Sequence, residues 1–349
     1  MEKRKIAENI WISRLGVGCW SFGGGEYWGE QSQKDVETVV RKAIDSDLNF
    51  FDTARMYNDG ASEKSLGLAL KHHRHESIVC SKVSPAKAYY QTLKEECEIS
   101  LKNLRTDYID LYMMHWPINP YGIKHFTEDP AILANPPTAE EAFAAMSDLK
   151  KEGKIRAIGV SNYGVTQMKE AVGLCPDLSA NEIAYNIISR AIEAEIMPFC
   201  KEKNISVITS MTLMQGILAG IYNKIEDIPK HQAHSRHFKN ERGQETSRHN
   251  EDGAEPEINE VMKVLREISA DLKISVAQLS IAWVFANQQV DCALLGSRNE
   301  FELSENIKAA EIILPSNIVE QINAVSLPVW QKLGNNADYY ENTANSRIY

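Results

Sequence analysis

Four side chains stand where a short apolar run gives out. Asp52 and, five residues on, Tyr57 follow Leu48-Asn49-Phe50-Phe51; Lys82 follows Ile78-Val79-Cys80-Ser81; His115 follows Tyr108-Ile109-Asp110-Leu111-Tyr112-Met113-Met114. Buried strands that end this way deliver a carboxylate, a phenol, an ammonium and an imidazole to the mouth of a cleft. A free tyrosine has a pKa of about 10 and is a poor acid or base near neutrality. An ammonium within hydrogen-bond reach favours the phenolate and brings it toward the range where general acid-base catalysis is efficient. Asp52 pairs with Lys82 in this reading and keeps it charged where water is excluded, while His115 orients the oxygen that exchanges the proton. Taken singly, a lysine or tyrosine is usually a surface or packing residue. The conjunction is far less expected by chance.

The elements that must position these groups alternate along almost the whole chain. Residues 5–14 alternate apolar and polar around Glu8-Asn9, which predicts a short β-hairpin able to plug one end of a barrel. Leu15–Trp20 reads as the first buried strand, followed by Gly23-Gly24-Gly25. That loop matches neither a G-x-G-x-x-G fingerprint nor a P-loop, and is read as permitting close approach of a ligand. Helical periodicity runs from Gln33 to Ser46, with Val36, Val39, Val40 and Ala43 on one face. Further helices are expected over 62–70, 89–104, 138–151, 165–172 and 194–203. Strands are expected at Lys154–Asn162, Leu178–Ala184, Ile205–Ser210 and Asp291–Gly296. Eight short strands with intervening helices predict an α/β fold of the (β/α)8 TIM-barrel type, in a single domain spanning 1–349 with the barrel over about 10–325 and a tail from Leu327. A doubly wound sheet is the alternative, but it normally carries a glycine fingerprint after its first strand.

Three segments exceed ordinary loop length: Trp116–Pro137, Gly220–Glu255 and the aromatic tail Leu327–Tyr349. Loops at strand C-termini line the site of a barrel, so the first two are expected walls or lids, the second equally a mobile insertion. The chain has 349 residues, 43% hydrophobic and 25% charged, values of a globular enzyme rather than a disordered chain. A net charge of -10 argues against general attraction to nucleic acid or anionic membrane. No stretch approaches the ~18 apolar residues of a membrane span, nor is there a signal-type segment, and a cytoplasmic location is the default expectation. The six cysteines are scattered without C-x-x-C or metal-ligand spacing, so they are read as reduced and structural, and no metal is expected. The histidines at 72–75 and 231–249 are read as solvated surface.

Asp52, Tyr57, Lys82 and His115, in this order and context, resemble the catalytic tetrad of the aldo-keto reductases. The resemblance extends over about 10–325 through Gly153-Lys154-Ile155-Arg156-Ala157-Ile158-Gly159-Val160-Ser161-Asn162 and Gly296-Ser297-Arg298 with Glu305-Asn306. It implies reduction of a carbonyl as a hydride reaches its carbon, or the reverse oxidation of an alcohol, with Tyr57 as acid and base. It further implies that Ser161, Asn162 and Glu182 hold the nicotinamide carboxamide, and that Ser210, Met211 and Leu213 lie beside the ring. Gly296, Ser297, Arg298, Glu302, Glu305 and Asn306 are implied for the adenosine half. Two departures stand out. Family members usually carry Gln at the position of Glu182, and an ionised carboxylate accepts from the amide nitrogen but donates nothing to its oxygen. They commonly carry an aromatic residue at the position of Ser210, and serine cannot stack. Arg298 suits the 2′-phosphate of NADP, whereas Glu302 suits an unphosphorylated ribose, so NADP(H) is expected with NAD(H) as the alternative.

Trp20, Tyr27, Trp28, Trp116 and the tail aromatics form a wall for a sugar ring or pack the core. The partner is expected to be a small carbonyl compound or sugar, with no nucleic acid and no membrane. A regulatory subunit that binds nucleotide on the same barrel and senses redox state is the reading from another class, since fold alone does not separate the two. A metal-dependent hydrolase is disfavoured, because the strand ends supply no second ligand histidine.

Overall fold

The alternation near the N-terminus folds into an antiparallel hairpin, β1 (Lys3–Ala7) and β2 (Ile10–Ser13), turned at Asn9 with φ 60°. The structure is a computed structural model and describes residues 1–243 and 246–349. Gln244 and Glu245, within the expected 220–255 insertion, lie outside the described residues. Ile10 and Ile12 on β2 are fully buried against Phe50, Cys80, Leu111 and Cys292, so the hairpin closes the floor of a barrel as its pattern predicts.

The barrel strands are β3 (Leu15–Gly18), β4 (Phe50–Asp52), β5 (Ile78–Val83), β6 (Ile109–Met114), β7 (Ile155–Ser161), β8 (Ala180–Ala184), β9 (Ser206–Ser210) and β10 (Cys292–Gly296). All neighbours are parallel, and β10 closes the ring on β3 by pairing Ala293 with Leu15 and Gly296 with Gly18. Both faces of each strand are covered, which is why the strands read as continuous apolar runs. On β6, for example, Leu111 and Met113 point into the barrel while Tyr112 and Met114 pack under the helices.

The outer ring holds α1 (Gln33–Asp45), α2 (Ala61–Ala69), α3 (Tyr90–Leu104), α6 (Ala139–Lys151), α7 (Val165–Leu174) and α8 (Ile196–Lys203), each within a few residues of its expected span. Their starts follow capping chemistry. Ser32 caps α1 by accepting from the Asp35 N–H, and Thr138 with Glu141 forms a reciprocal capping box on α6. The 116–137 segment is not bare loop but contains α4 (Pro120–Phe126) and α5 (Pro130–Ala134), each with proline in its first turn after an Asn119 or Asp129 cap.

Further helices lie outside the spans expected from the sequence. Between the insertion, which includes α9 (Asn240–Gly243), and β10 lie α10 (Glu255–Leu272) and α11 (Val276–Ala286). Residues 279–285 of α11 are all buried, so no amphipathic stripe marks that helix. After α12 (Glu300–Ala310), α13 (Ser316–Leu333) runs through Pro328 into the expected tail and stops at Gly334, φ 70°. Carbonyls near that proline receive side-chain donors: Ser326 Oγ donates to Ile322 O at 2.8 Å and Arg190 to Asn323 O at 3.0 Å. Residues 335–349 then return over the barrel, and Tyr349 O accepts from the N–H groups of Thr166 and Gln167 at the start of α7. Among the described residues no single helix is long and apolar enough to cross a membrane.

Candidate active site

The C-terminal ends of the strands open into a cleft of about 650 Å³. Asp52 ends β4 and lies 3% exposed; Lys82 rises from β5 with its side chain fully buried beneath it. Lys82 Nζ donates to Asp52 Oδ1 at 2.5 Å and to Thr53 O at 3.1 Å. Tyr57, in the loop after β4, places its ring centroid 5.3 Å from that ammonium, 5.7 Å from the Trp20 ring and 5.5 Å edge-on from the His115 imidazole. The four side chains expected to act together are thus brought together, three along the cleft wall and Lys82 underneath.

A fifth group joins them. Glu182 on β8, across the barrel interior from β5, brings Oε2 to 3.2 Å from Lys82 Nζ, and the carboxylate is 5% exposed. One ammonium therefore faces two carboxyl groups in a buried site. Burial, then the neighbouring Asp52 charge, push the Glu182 carboxyl up to about 8 against the pull of Lys82. Burial alone would depress the Lys82 ammonium, but Asp52 and Glu182 outweigh it and hold it well above the usual lysine range. Burial also raises the Tyr57 phenol; Lys82 pulls it back, Asp52 and Glu182 resist, and the net direction is upward. The sequence expectation that Lys82 alone brings Tyr57 toward neutrality is corrected here by desolvation and two acids. Burial and the Lys82 charge keep the His115 imidazole well below its usual range, so it is neutral, and its Nδ1 is buried without a partner among the described residues.

Glu182 gives a direct test. Its carboxyl titrates near 8 when folded and near 4.3 when unfolded, so between those values the folded chain holds the extra proton. Stability of the parent accordingly falls as pH rises through that window, by at most about 1.4 kcal/mol per pH unit, and levels off above it. Glu182→Gln carries no such proton, so its stability relative to the parent grows between about pH 5 and about pH 9. Denaturant melts at both ends measure this, and a pH-independent difference would show that Glu182 does not carry the proton.

Around this cluster the cleft is walled by Ser161 and Asn162 at the end of β7, by Ser210, Met211 and Leu213 after β9, and by Gly296, Arg298 and Glu302 after β10. Asn162 has φ 62°, and its Nδ2 donates to Ser161 Oγ at 2.9 Å and to His115 O at 3.3 Å. Gly18 and Gly296 face each other across the β3–β10 seam, both on the cleft wall, and leave bare backbone there. Arg298 reaches back to the loop after β3, donating to Gln31 Oε1 at 3.1 Å and Glu30 O at 2.5 Å. Glu302 is fixed at the head of α12: it accepts from the Arg298 N–H at 2.8 Å and from Asn299 Nδ2 at 3.0 Å.

Three residues expected at the adenosine half are not on the cleft wall. Ser297 is fully buried and accepts from Asn306 Nδ2, which also bonds Gly296 O, while Glu305 turns to Lys308 and Gln278. The glycine loop also departs from expectation. A Cβ on Gly23 would lie 2.8 Å from Ser62 N and one on Gly25 2.9 Å from Asn58, so these glycines accommodate the chain itself rather than a ligand. Among the described residues no aromatic side chain lines the cleft from 210–216, in keeping with Ser210.

Trp20, Trp28 and Trp116 also line the cleft, with Trp20 stacked on Tyr27 at 5.3 Å. Tyr339 and Tyr340 of the tail are there too, joined by His125, Phe126, Gln215, Arg248 and Arg347, which the sequence pattern did not single out. Nor is the 231–249 stretch wholly solvated. Arg236, His237 and His249 are buried, and His237 Nε2 lies 3.0 Å from Ile188 O and 2.9 Å from Ser189 Oγ.

The model of the aldo/keto reductase family matches residues 14–327. Aldo-keto reductase YhdN of Bacillus subtilis is 29% identical over 340 residues, covering 93% of each chain. The NADH-specific methylglyoxal reductase of Escherichia coli is 28% identical over 326 residues, covering 88% of this chain and 92% of that one. Among solved structures, the thermostable aldo-keto reductase Tm1743 with the inhibitor epalrestat superposes with a TM-score of 0.71 at 25% identity, covering 93% of this chain and all of that one. Carrying this family's pattern along its length and its barrel in space, the chain belongs to the aldo/keto reductase family.

Proposed function

We propose that the protein is an NAD(P)(H)-dependent oxidoreductase that interconverts a small aldehyde, ketone or sugar carbonyl with its alcohol, with Tyr57 as general acid and base. The observation that carries the reading is the meeting of Tyr57, His115 and the Lys82–Asp52 pair at one wall of a deep cleft. A nicotinamide dinucleotide, when bound, supplies or accepts the hydride at the carbonyl carbon. The residues present fit such a group. Glu182 and the Ser161–Asn162 pair on the cleft wall offer polar partners for a carboxamide, and the bare backbone at Gly18 and Gly296 admits close approach. Arg298 and Glu302 stand at the adenosine end.

Within that frame the chain's residues divide the work. Tyr57, its phenol held high and therefore proton-loaded near neutrality, gives its proton to the carbonyl oxygen in reduction and recovers one in oxidation. Neutral His115 orients that oxygen by hydrogen bonding. Lys82, kept charged by Asp52, stabilises the phenolate left behind, and the Trp20 wall excludes water. Oxidation of NADPH or NADH followed with a panel of aldehydes, ketones and free sugars tests the reading. Tight nucleotide binding without turnover of any of them would favour the redox-sensing alternative instead.

NADP(H) is the preferred cofactor in this proposal and NAD(H) the alternative, Arg298 being the group that would meet a 2′-phosphate. Glu302 is exposed, yet its carboxylate accepts from the Arg298 N–H and so stays beside Arg298. Arg298→Ala is expected to weaken NADP(H) more than NAD(H), by about 1.5–3 kcal/mol. Dissociation constants of both cofactors for both proteins decide it. Tighter binding of NAD(H) by the parent, or equal weakening of the two, would make Glu302 the selector.

A further inference from the structure

We infer that the part of the cleft lined by Trp116, Arg248 and Arg347 holds a subsite for an anionic group, so that the preferred substrates carry a carboxylate or phosphate a few carbons from the carbonyl. This rests on the carbonyl-reducing reading of the same cleft and names its substrate class. The chain is acidic overall, yet two arginines from distant segments, Arg248 of the insertion and Arg347 of the tail, converge on this wall. Arg347 is 1% exposed and sits over Trp116, with Cζ 3.7 Å from the ring centroid, and Trp116 directly follows His115. The subsite is thus next to the proton-transfer cluster without being part of it.

Asp338 and Glu341 balance the two arginines in number but not in hydrogen bonds. Asp338 takes Arg347 Nε at 2.8 Å and Nη2 at 2.7 Å, leaving the buried Nη1 without a partner among the described residues. Glu341 takes Arg248 Nε at 2.8 Å, while Arg248 Nη1 donates to His125 Nδ1 at 2.9 Å. His125 is pushed down to about 4 by burial and then by Arg248 and Arg347, so it accepts that bond as a neutral ring and adds no charge. Burial, followed by repulsion from Arg347, lowers the Arg248 guanidinium, a sign that the two cations share a field. Planar guanidinium forks fixed by stacking and by carboxylates are pre-organised for a second oxyanion. A buried donor without a protein acceptor is one that such an oxyanion satisfies.

The test compares matched aldehydes with the cofactor-loaded protein: succinate semialdehyde against butanal, and glyceraldehyde 3-phosphate against glyceraldehyde. The charged member of at least one pair should have a kcat/KM about tenfold or more above its neutral partner, as expected for charge-assisted contacts. The pair showing the larger advantage tells carboxylate from phosphate. Arg248→Gln, whose side chain is about a third exposed (35%) in the parent, should bring that ratio toward one. Arg347→Lys, which keeps a cation opposite Asp338, should reduce it as well. Tryptophan fluorescence of the NADP+-loaded protein, titrated with succinate semialdehyde and with glyceraldehyde 3-phosphate, gives a readout independent of turnover and should show weaker binding in both variants. Ratios near one in the parent for both pairs, or ratios and binding unchanged in both variants, overturn the subsite. Turnover of none of the four aldehydes contradicts carbonyl reduction instead, and the titrations then still decide whether the anion binds.

Discussion

Replacing Tyr57 by phenylalanine will lower turnover by about 10²- to 10⁴-fold, the usual contribution of a positioned general acid, with little effect on folding or cofactor binding. The substitution removes one oxygen from a half-buried ring. The ring itself keeps its stacking on Trp20 and its edge contact with His115, so the wall is preserved. The transferable proton is lost, and with it the phenolate that Lys82 would stabilise. Single-turnover oxidation of the reduced cofactor beside a thermal melt separates the two effects. Turnover at the parent rate would remove Tyr57 from the acid role and shift attention to His115.

Lys82→Met will have a large effect on stability as well as on turnover. It leaves Asp52 and Glu182 facing one another with no cation between them, and losing one partner of a buried ion cluster costs about 3–5 kcal/mol. The loss depends on pH. Without the ammonium the two carboxyls hold protons more tightly, so the variant approaches the parent in acid and falls furthest behind above the range where Glu182 ionises. Adding Glu182→Gln should recover much of the deficit, because only one carboxylate then remains to be compensated, and the two substitutions will not be additive. Urea melts of the parent, both single variants and the double variant near pH 5 and near pH 8 measure the coupling. Equal stability of Lys82→Met and the parent at the higher pH would show that no ion cluster exists. Turnover should fall in the single variant, with the titration of Tyr57 moved further upward.

The barrel was legible because its strands are short apolar runs closed by a polar residue, and the same feature exposed Asp52, Lys82 and His115. Glu182 shows where that logic stops. Its strand was placed correctly, but that its carboxylate crosses the interior to Lys82 depends on register between strands β5 and β8, which no local pattern encodes. Resemblance directs Glu182 to a cofactor amide, while geometry also joins it to the Lys82–Asp52 pair. Arg248 and Arg347 were invisible for a related reason. Each sits in a polar stretch without periodicity, and only tertiary contact through Trp116, His125, Asp338 and Glu341 gives them meaning. Helix α11 was missed because complete burial erases its stripe.

The returning tail is tied at several points: Arg347 O accepts from Asn119 Nδ2 and Gln167 Nε2, and Tyr349 O from the first turn of α7. It contributes Tyr339, Tyr340 and Arg347 to the cleft but no member of the proton-transfer cluster. On the proposed reading, chemistry and anion selectivity sit in separable modules, one embedded in the strands and one laid over them and tied down by buried hydrogen bonds from Asn119 and Gln167. On that reading, a change in the anionic group accepted calls for edits in the last fifteen residues and the insertion that meets them, with the strands left as they are. For a designer the same partition makes the tail a cassette, to be exchanged together with its moorings on α7 and at Asn119.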